Sequence, residues 1–357
     1  MMSDRVASDL GPTANWGLAS SGVPLAEAFD LALVDLDGVA RKGAEQIEHA
    51  TESLNRAQAD GLREVFVTNN AALTPQQVAA QLETLGISCT PDDVMTAAMA
   101  CGALLQTKLP PGAKVLVVGG PGLVQAVTDA GFQVILSSEP NAADQRPDAV
   151  AMGYAPTVAW PDLAEAAFAV QNGAWFVASN LDKSLPLARG NAPGNGALVG
   201  TVQAATGIVP ASAGKPSPEM YQLVVNRAGA TNPLVIGDRL DTDLGGARAA
   251  GIPGLHVFTG VSSARDAVLA EPTYRPSFVG ADLRTLFEVH HAPTEGPDGW
   301  WVAGGRSARV HDDGTLELDS QGPTGIDAVR AACAAVWAAA DAGIKIKEQS
   351  IPEFTGQ

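Results

Sequence analysis

Short apolar runs alternate along this chain with amphipathic stretches, and the runs end in glycine or polar residues. The apolar run that ends at Val34 is followed at once by Asp35-Leu36-Asp37-Gly38. A continuous apolar run bounded by glycine indicates a strand that is buried on both faces of a parallel sheet. Both acids are then expected at the carboxyl end of this strand, which is where open α/β sheets bind ligands.

The next segment repeats this arrangement of strand and helix. The run Glu64-Val65-Phe66-Val67 ends at Thr68-Asn69-Asn70, and Thr74-Pro75-Gln76-Gln77 then predicts a helix start with a capping box and a first-turn proline. Gly86 is expected to close that helix. The pattern predicts an α/β fold with a doubly wound parallel sheet, a Rossmann-like core with helices on both faces.

A third strand is predicted at Leu234-Val235-Ile236, which runs into Gly237-Asp238. Asp241 or Thr242 is expected to cap the helix that follows, and this helix is expected to end near Gly251. Polar residues therefore gather at the ends of at least three strands.

A second set of short strands lies between about residues 110 and 208, a stretch that is longer than one crossover connection needs. Its predicted strands are Val115 to Val118, Val134 to Leu136, Ala149 to Met152 and Phe176 to Ala178. We therefore expect residues 110–208 to form an inserted domain. The core would then consist of two segments, residues 1–109 and 209–290.

The composition changes after His290-His291, and residues 291–357 are expected to form a small ββα appendage. Asp313-Gly314 is predicted as a hairpin turn between two strands. One face of the predicted helix collects the residues Ile326, Val329, Cys333, Val336, Trp337 and Ala340. Packing or self-association is expected through Trp300, Trp301 and the Ala-rich helix, and a homodimer through the inserted domain or the appendage is left open.

The chain has 22 Lys and Arg against 39 Asp and Glu, which gives a formal net charge of −17 at pH 7. Such a field repels nucleic acid, so we expect no nucleic-acid partner. An acidic protein that handles phosphate must supply positive charge locally, as a placed Lys or Arg or as a bound metal. Lys215 is such an isolated lysine, in Gly214-Lys215-Pro216-Ser217-Pro218.

Cysteines and histidines give no metal-binding pattern. Cys89, Cys101 and Cys333 are far apart in the sequence, and we expect them to be reduced and buried. The five histidines show no ligand spacing and are expected at the surface. The sequence has no signal-like apolar stretch and no apolar run of membrane-spanning length, so we expect a cytoplasmic protein without a membrane partner.

Three glycine-containing segments suggest binding motifs that the chain does not complete. Gly119-Gly120-Pro121-Gly122 is interrupted by proline and lacks the third glycine of a dinucleotide fingerprint, so we expect a strand-to-helix turn. The segment from Gly190 to Gly196 lacks the Lys-Ser/Thr pair of a phosphate-binding P-loop. Asp35-Leu36-Asp37-Gly38 lacks the further ligands of an EF-hand.

Four sites follow one another at predicted strand ends or helix starts. They are Asp35 and Asp37 in "DLDGV", Thr68 in "FVTNN", Lys215 in "GKPSP" and Asp238 in "GDRLDTD". Their order and chemistry resemble the haloacid dehalogenase (HAD) superfamily of phosphatases. Over roughly residues 28 to 285 the chain is similar to the NagD-like branch, which includes 4-nitrophenyl, phosphoglycolate and glycerol-3-phosphate phosphatases. The resemblance implies a HAD-like core with an inserted C2-type cap over residues 110–208.

The resemblance also implies a mechanism, the hydrolysis of a phosphate monoester through an aspartyl-phosphate. Asp35 would be the nucleophile, and Asp37 would be the general acid and base. Mg²⁺ would be bound by the Asp35 and Asp238 carboxylates and the Asp37 backbone carbonyl. Asp241 and Asp243 are expected to support this loop or the metal, or to cap the following helix.

Phosphate binding is assigned by the same resemblance to residues elsewhere in the chain. The Thr68 hydroxyl and the backbone N–H groups around Asn69 and Asn70 would bind phosphoryl oxygens. Lys215 would supply a second positive charge beside the metal.

The substrate is expected to be a small phosphate ester, with glycerol 3-phosphate favoured by the resemblance and phosphoglycolate or a nucleotide monophosphate as alternatives. Asn180, Asp182 and Arg189 of the cap are the candidate substrate residues. Here Asn180-Leu181-Asp182 departs from the Asn-Pro-Asp that is usual in the family. A non-catalytic module that senses phosphate or acts as a scaffold is an alternative from another class.

Overall fold

Parallel strands with flanking helices make up most of the protein. A computed structural model describes residues 17–43, 45–187 and 189–356. The strands are β1 (Leu31–Asp35), β2 (Arg41–Lys42), β3 (Glu45–Gln46), β4 (Arg63–Thr68), β5 (Val94–Thr96), β6 (Lys114–Val118), β7 (Gln133–Leu136), β8 (Ala149–Met152), β9 (Trp175–Ala178), β10 (Ser184–Leu187), β11 (Gly190–Pro193), β12 (Ala211–Ser212), β13 (Pro233–Gly237), β14 (Gly254–Val257), β15 (Phe278–Gly280), β16 (Thr294–Glu295), β17 (Trp301–Ala303), β18 (Arg306–Val310) and β19 (Leu316–Leu318).

The α-helices of the described residues accompany these strands. They are α1 (Leu25–Ala28), α2 (Ala50–Ala59), α3 (Pro75–Thr84), α4 (Ala97–Gln106), α5 (Pro121–Asp129), α6 (Trp160–Gln171), α7 (Asn195–Thr206), α8 (Pro218–Ala228), α9 (Gly245–Ala249), α10 (Ala264–Val268) and α11 (Ile326–Asp341). Within the described residues, no helix is both long enough and apolar enough to cross a membrane. Contacts divide the chain into two units, one that runs to Val65 and resumes at Val225, and one formed by Phe66–Val224.

In the first unit, β15, β14, β13 and β1 lie side by side in that order and are all parallel. β1 is buried along its whole length, which confirms the prediction from its continuous apolar run. Val34 of β1 pairs with Ile236 of β13, so these two strands end at the same edge of the sheet. This register places the residues that follow Val34 and Ile236 next to each other.

The second unit begins within β4, which pairs in parallel with β5. The predicted capping box of α3 is confirmed, because Thr74 Oγ1 accepts from the Gln77 N–H and Gln77 Oε1 accepts from the Thr74 N–H. Gly86 follows this helix at φ 75°, a left-handed conformation that favours glycine, as predicted.

The predicted strands of residues 110–208 are all present and form one parallel sheet, in the order β12-β9-β8-β6-β7. Its edge strand β12 continues the sheet to Ser212, four residues beyond the predicted end of the inserted domain. Gly119 and Gly120 form the predicted strand-to-helix turn between β6 and α5, and Gly122 lies in the first turn of α5. An added Cβ at Gly122 would overlap the backbone of Leu73, so this turn packs directly against the loop that follows β4.

The C-terminal segment contains more strands than predicted. β16 to β19 form a four-stranded antiparallel sheet, so the predicted ββα appendage is wrong in its strand number. The Asp313-Gly314 turn between β18 and β19 is confirmed, with Gly314 at φ 84°. Helix α11 is buried on nearly all sides, except that Ala340, which was predicted on the same face as Val329 and Trp337, is exposed.

Cys89, Cys101 and Cys333 are unbridged and buried, as predicted. The expectation of surface histidines is wrong for His256 and His290, which are 0% and 4% exposed. His290 lies edge-on to Phe278, and its Nε2 lies 3.3 Å from the Thr285 carbonyl oxygen. Burial, helped by the positive charge of Arg330, lowers the pKa of His290 to about 4.

The buried His290 predicts a loss of stability in mild acid. An unfolded histidine binds a proton near pH 6.5, whereas His290 in the folded protein stays neutral to about pH 4. The folded state therefore binds fewer protons in this window, and the unfolding free energy should fall as pH is lowered, by about 1 to 2 kcal/mol between pH 7 and pH 5 for this residue. His290→Gln should flatten the slope of unfolding free energy against pH, while the same change at exposed His291 should not. Identical slopes for both variants would contradict this origin.

Candidate active site

Three buried carboxylates form a cluster in the first unit. Asp35 lies at the end of β1, Asp238 follows β13, and Asp243 lies in a π-helical turn, Leu240–Leu244. One carboxylate oxygen from each lies within 4.8 Å of the others. Their exposed fractions are 9%, 0% and 1%. Three acids gathered away from solvent present the hard oxygen donors that divalent cations such as Mg²⁺ prefer, so the residues present fit the implied metal.

The backbone around Asp238 is shaped to hold its carboxylate. The Val261 N–H donates to Asp238 Oδ2 at 2.7 Å. Gly38 and Gly260 approach the same oxygen so closely that an added Cβ at either position would overlap it. Gly38 also has φ 102°, so the glycine after the two acids of "DLDGV" is required by both conformation and space.

His256 supports Asp238 and was missed by the sequence reasoning. Its Nε2 lies 3.2 Å from the Asp238 carbonyl oxygen, and burial lowers the pKa of this imidazole to about 4. The ring is therefore neutral near pH 7 and carries its hydrogen on Nε2 if it donates to that carbonyl. A polar residue inside the apolar run Leu255 to Phe258 was the only signal in the sequence.

The two acids predicted to support the site differ in their surroundings. Asp243 lies in the buried cluster, and its Oδ2 accepts from the Arg239 N–H at 3.1 Å. Asp241 is exposed and forms a two-point ion pair with the Arg239 guanidinium, with N···O distances of 3.1 and 2.9 Å. The predicted cap at Asp241 or Thr242 is wrong, because Arg239 occupies the N-cap position, and the Leu240 N–H donates to Ser262 Oγ at 3.2 Å instead.

Asp37 lies outside the carboxylate cluster. Its side chain is about half exposed, and Oδ1 lies 3.4 Å from Arg41 Nε. The backbone turns sharply here, since the Gly38 N–H donates to the Arg41 carbonyl at 2.8 Å. The half-exposed Asp37 carboxylate is therefore accessible to water, as the predicted exchange of protons requires.

Three of the predicted phosphate-binding residues, Thr68, Asn69 and Asn70, lie at the end of β4 and directly after it, in the second unit. Thr68 is 3% exposed, and its Oγ1 accepts from the Asn70 N–H at 3.1 Å. Asn70 Oδ1 accepts from the Ala72 N–H at 2.8 Å, so this side chain shapes the turn. The Asn69 carboxamide forms two hydrogen bonds with the Lys215 backbone. Its Oδ1 accepts from the Lys215 N–H at 2.8 Å, and its Nδ2 donates to the Lys215 carbonyl at 3.1 Å.

Lys215 is 5% exposed, although lysine is rarely buried without partners. Its Nζ donates to the Val67 carbonyl at 3.2 Å, one residue before Thr68. The structure therefore brings together Thr68, Asn69 and Lys215, which are about 150 residues apart in sequence.

Two of the three cap candidates contact this cluster. The Asn180 Nδ2 donates to the Asn69 carbonyl at 2.7 Å, and Asp182 Oδ2 accepts from the Asn69 Nδ2 at 3.0 Å. Arg189 is exposed in the turn between β10 and β11, and none of the described hydrogen bonds or ion pairs involves it. The structure therefore joins Asn180 and Asp182 to the predicted phosphate-binding loop, and no described hydrogen bond or ion pair links Arg189 to it.

Comparisons with known families agree with this arrangement of residues. Residues 32–133 match the family of haloacid dehalogenase-like hydrolases, and residues 212–286 match a second HAD-hydrolase-like family. Residues 303–348 match a GCN5-related N-acetyltransferase-like domain, within the C-terminal segment.

Individual relatives are similar over most of the chain. The D-glycerol 3-phosphate phosphatase of Mycobacterium tuberculosis is 42% identical over 317 residues, which cover 88% of each protein. An acid sugar phosphatase of Staphylococcus epidermidis is 37% identical over 68% of this chain and 92% of its own length.

Solved structures show the same fold. The crystal structure of the M. tuberculosis glycerol phosphate phosphatase in complex with magnesium superposes with a TM-score of 0.78 at 41% identity, and covers 88% of this chain and 92% of that one. A 4-nitrophenylphosphatase from Thermotoga maritima superposes with a TM-score of 0.66 at 26% identity, over 73% of this chain and 97% of that one. These similarities confirm the predicted fold and hydrolase class, and the chain belongs to the haloacid dehalogenase-like hydrolases.

Proposed function

We propose that this protein is a Mg²⁺-dependent phosphomonoesterase and that its substrate is glycerol 3-phosphate. The observation that carries the proposal is the buried cluster of Asp35, Asp238 and Asp243 at the carboxyl edge of a parallel sheet. The 42% identity to a D-glycerol 3-phosphate phosphatase over 88% of both chains supports this choice of substrate.

The metal would be held by the three clustered carboxylates, with the Asp37 backbone carbonyl as the further oxygen implied by the family resemblance. When bound, Mg²⁺ supplies positive charge that stabilises the phosphoryl oxygens. This charge is needed because a carboxylate that approaches a phosphate dianion is repelled. At about 4 Å each pair of unit charges costs on the order of 4 kcal/mol at an effective dielectric constant near 20.

The chemistry itself is assigned to two aspartates. An Asp35 carboxylate oxygen attacks phosphorus and forms an aspartyl-phosphate, while the bond from phosphorus to the alcohol oxygen breaks. Asp37 gives its proton to the leaving alcohol oxygen. It then takes a proton from the water that attacks the aspartyl-phosphate, which releases inorganic phosphate and restores Asp35.

Phosphate recognition is assigned to the cluster around β4. The Thr68 hydroxyl and the backbone N–H of Asn69 would donate to phosphoryl oxygens, and the Lys215 ammonium would balance their charge. The Asn70 N–H already donates to Thr68 Oγ1, so we assign Asn70 to the shape of the turn rather than to the phosphate.

The test is kcat/KM over a panel of phosphate esters, with Mg²⁺ and with excess EDTA. We expect glycerol 3-phosphate to exceed phosphoglycolate, pyridoxal phosphate and nucleoside monophosphates by about tenfold or more, which is about 1.4 kcal/mol of discrimination. Activity should disappear in EDTA and return when Mg²⁺ is added back. A higher kcat/KM for another ester would show that glycerol 3-phosphate is not the preferred substrate. An undiminished rate in EDTA would show that the reaction does not need the metal.

A further inference from the structure

The side chain of Asn69 uses both of its amide hydrogens and its oxygen in hydrogen bonds to other residues of the protein. Its Oδ1 accepts from the Lys215 N–H, and its Nδ2 donates both to the Lys215 carbonyl and to Asp182 Oδ2. Both hydrogens of the carboxamide are therefore used. Asn69 therefore links the loop that follows β4 to the backbone N–H and carbonyl of Lys215. We call Asn69, Asn180 and Asp182 together the clamp.

Asn180 holds the same loop at a second point. Its Nδ2 donates to the Asn69 carbonyl at 2.7 Å, and its Oδ1 accepts from the Asp182 N–H at 3.2 Å. Asn180 is itself fixed, since it is 4% exposed and its carbonyl accepts from the Asn195 Nδ2 at 2.8 Å. The loop after β9 thus holds both the main chain and the side chain of Asn69.

The approach of these loops requires glycine at position 214. A Cβ on Gly214 would lie 2.5 Å from Asn69 Oδ1 and 2.6 Å from the Ser179 carbonyl oxygen, far inside van der Waals contact. The glycine before Lys215 thus lets the lysine loop reach the loops after β4 and β9 at the same time. Their close contact means that a shift in one of them displaces the others.

We propose that Asn180 and Asp182 are positioning residues that fix the Thr68-Asn69 loop and the Lys215 backbone, rather than substrate contacts in the cap. This inference rests on the proposed function, which assigns Thr68 and Lys215 to the phosphoryl group. Asp182 acts through a charge-assisted hydrogen bond to the Asn69 carboxamide, and Asn180 acts through the Asn69 carbonyl. Their loss should affect every phosphate ester equally, because the phosphoryl group is common to all of them.

The experiment uses inorganic phosphate, which has no alcohol part, as the probe. Its dissociation constant in the presence of Mg²⁺ is measured by calorimetry for the wild type, Asp182→Ala, Asp182→Asn and Asn180→Ala. Asp129→Ala and Asn172→Ala are matched controls, because both residues are exposed in the same unit and neither belongs to the clamp. Values of kcat/KM for glycerol 3-phosphate and phosphoglycolate are measured on the same preparations.

We expect both clamp alanines to weaken phosphate binding about tenfold, and to lower kcat/KM for the two esters by the same factor. Asp182→Asn keeps an oxygen that can accept from Asn69, so it should recover most of the lost phosphate affinity. Unchanged phosphate affinity in Asp182→Ala, or a changed ratio between the two esters, would overturn the proposal. Asn180 is buried, so Asn180→Ala can fail to fold. In that case the comparison of Asp182→Ala with Asp182→Asn decides, because Asp182 is only half-buried.

Calorimetry also separates this inference from the proposed function. A wild-type protein that binds phosphate but hydrolyses no ester would contradict the proposed function alone, and the clamp would still be judged from the dissociation constants.

Discussion

Asp35→Asn should lower phosphate release by at least about 10³-fold while leaving the fold intact, because an amide is a poor nucleophile and a weaker ligand for a hard cation. Asp35 is buried at the end of β1 and belongs to the only three-carboxylate cluster found among the described residues. The substituted side chain has almost the same volume, so the sheet should accept it without repacking. Single-turnover assays with glycerol 3-phosphate would measure the loss.

Asp312→Asn provides a matched control, since it makes the same chemical change at an exposed position in the turn between β18 and β19. The control should keep the wild-type rate, and both variants should melt within a few degrees of the wild type. If Asp35→Asn still released phosphate at a substantial fraction of the wild-type rate, another group would have to be the nucleophile.

Removal of residues 291–357 should strongly destabilise the first unit, with a fall in Tm of about 10 °C or more. Helix α11 shares one apolar cluster with Ala264, Ala267 and Val268 of α10, so truncation would expose that face. Arg275 is 3% exposed and pairs with Asp341 at 2.7 Å, and truncation would remove both this carboxylate and the Trp337 ring that lies over the guanidinium. Differential scanning calorimetry of the truncated and full chains would measure the effect.

Trp337→Ala tests the same packing in a chain that keeps its length. Trp337 is 2% exposed, and its Nε1 donates to the Ala267 carbonyl at 3.2 Å. Its removal should cost about 3 to 5 kcal/mol and lower Tm by roughly 5 to 10 °C. Trp160→Ala is the matched control, because Trp160 is 75% exposed on α6 and its loss should change Tm by only about 1 °C.

For the truncation, unchanged stability and an unchanged rate would show that the rest of the first unit does not depend on residues 291–357.

Sequence reasoning succeeded where a short-range pattern determines the structure. The apolar run before Asp35 and the strands of residues 110–208 are confirmed because buried parallel strands must be continuously apolar. The start of α3 is confirmed because Thr74 and Gln77 satisfy each other's backbone within one turn. These features depend on residues that are close together in the sequence, so the sequence alone was sufficient to predict them.

The features that were missed depend on contacts between distant residues. Asp243 was predicted as a supporting residue, but its position among the clustered carboxylates depends on a π-helical turn, whose extra residue per turn no local propensity indicates. Burial of His256 and His290 depends on strands and loops that pack over them. The short strands β16 and β17, of two and three residues, carry too few positions for alternation to be recognised.

The direct packing of Gly120 and Gly122 against Ala72 and Leu73 has a consequence for protein engineering. The turn at the start of α5 and the loop after β4 meet backbone to backbone, with no side chain between them to absorb a change in geometry. A cap taken from a relative would bring its own turn at this position, and that turn would have to pack closely against the backbone of Ala72 and Leu73. A chimera made to exchange substrate preference between relatives should therefore transfer Phe66–Val224 as one piece, including the loop with Thr68 and the lysine at position 215.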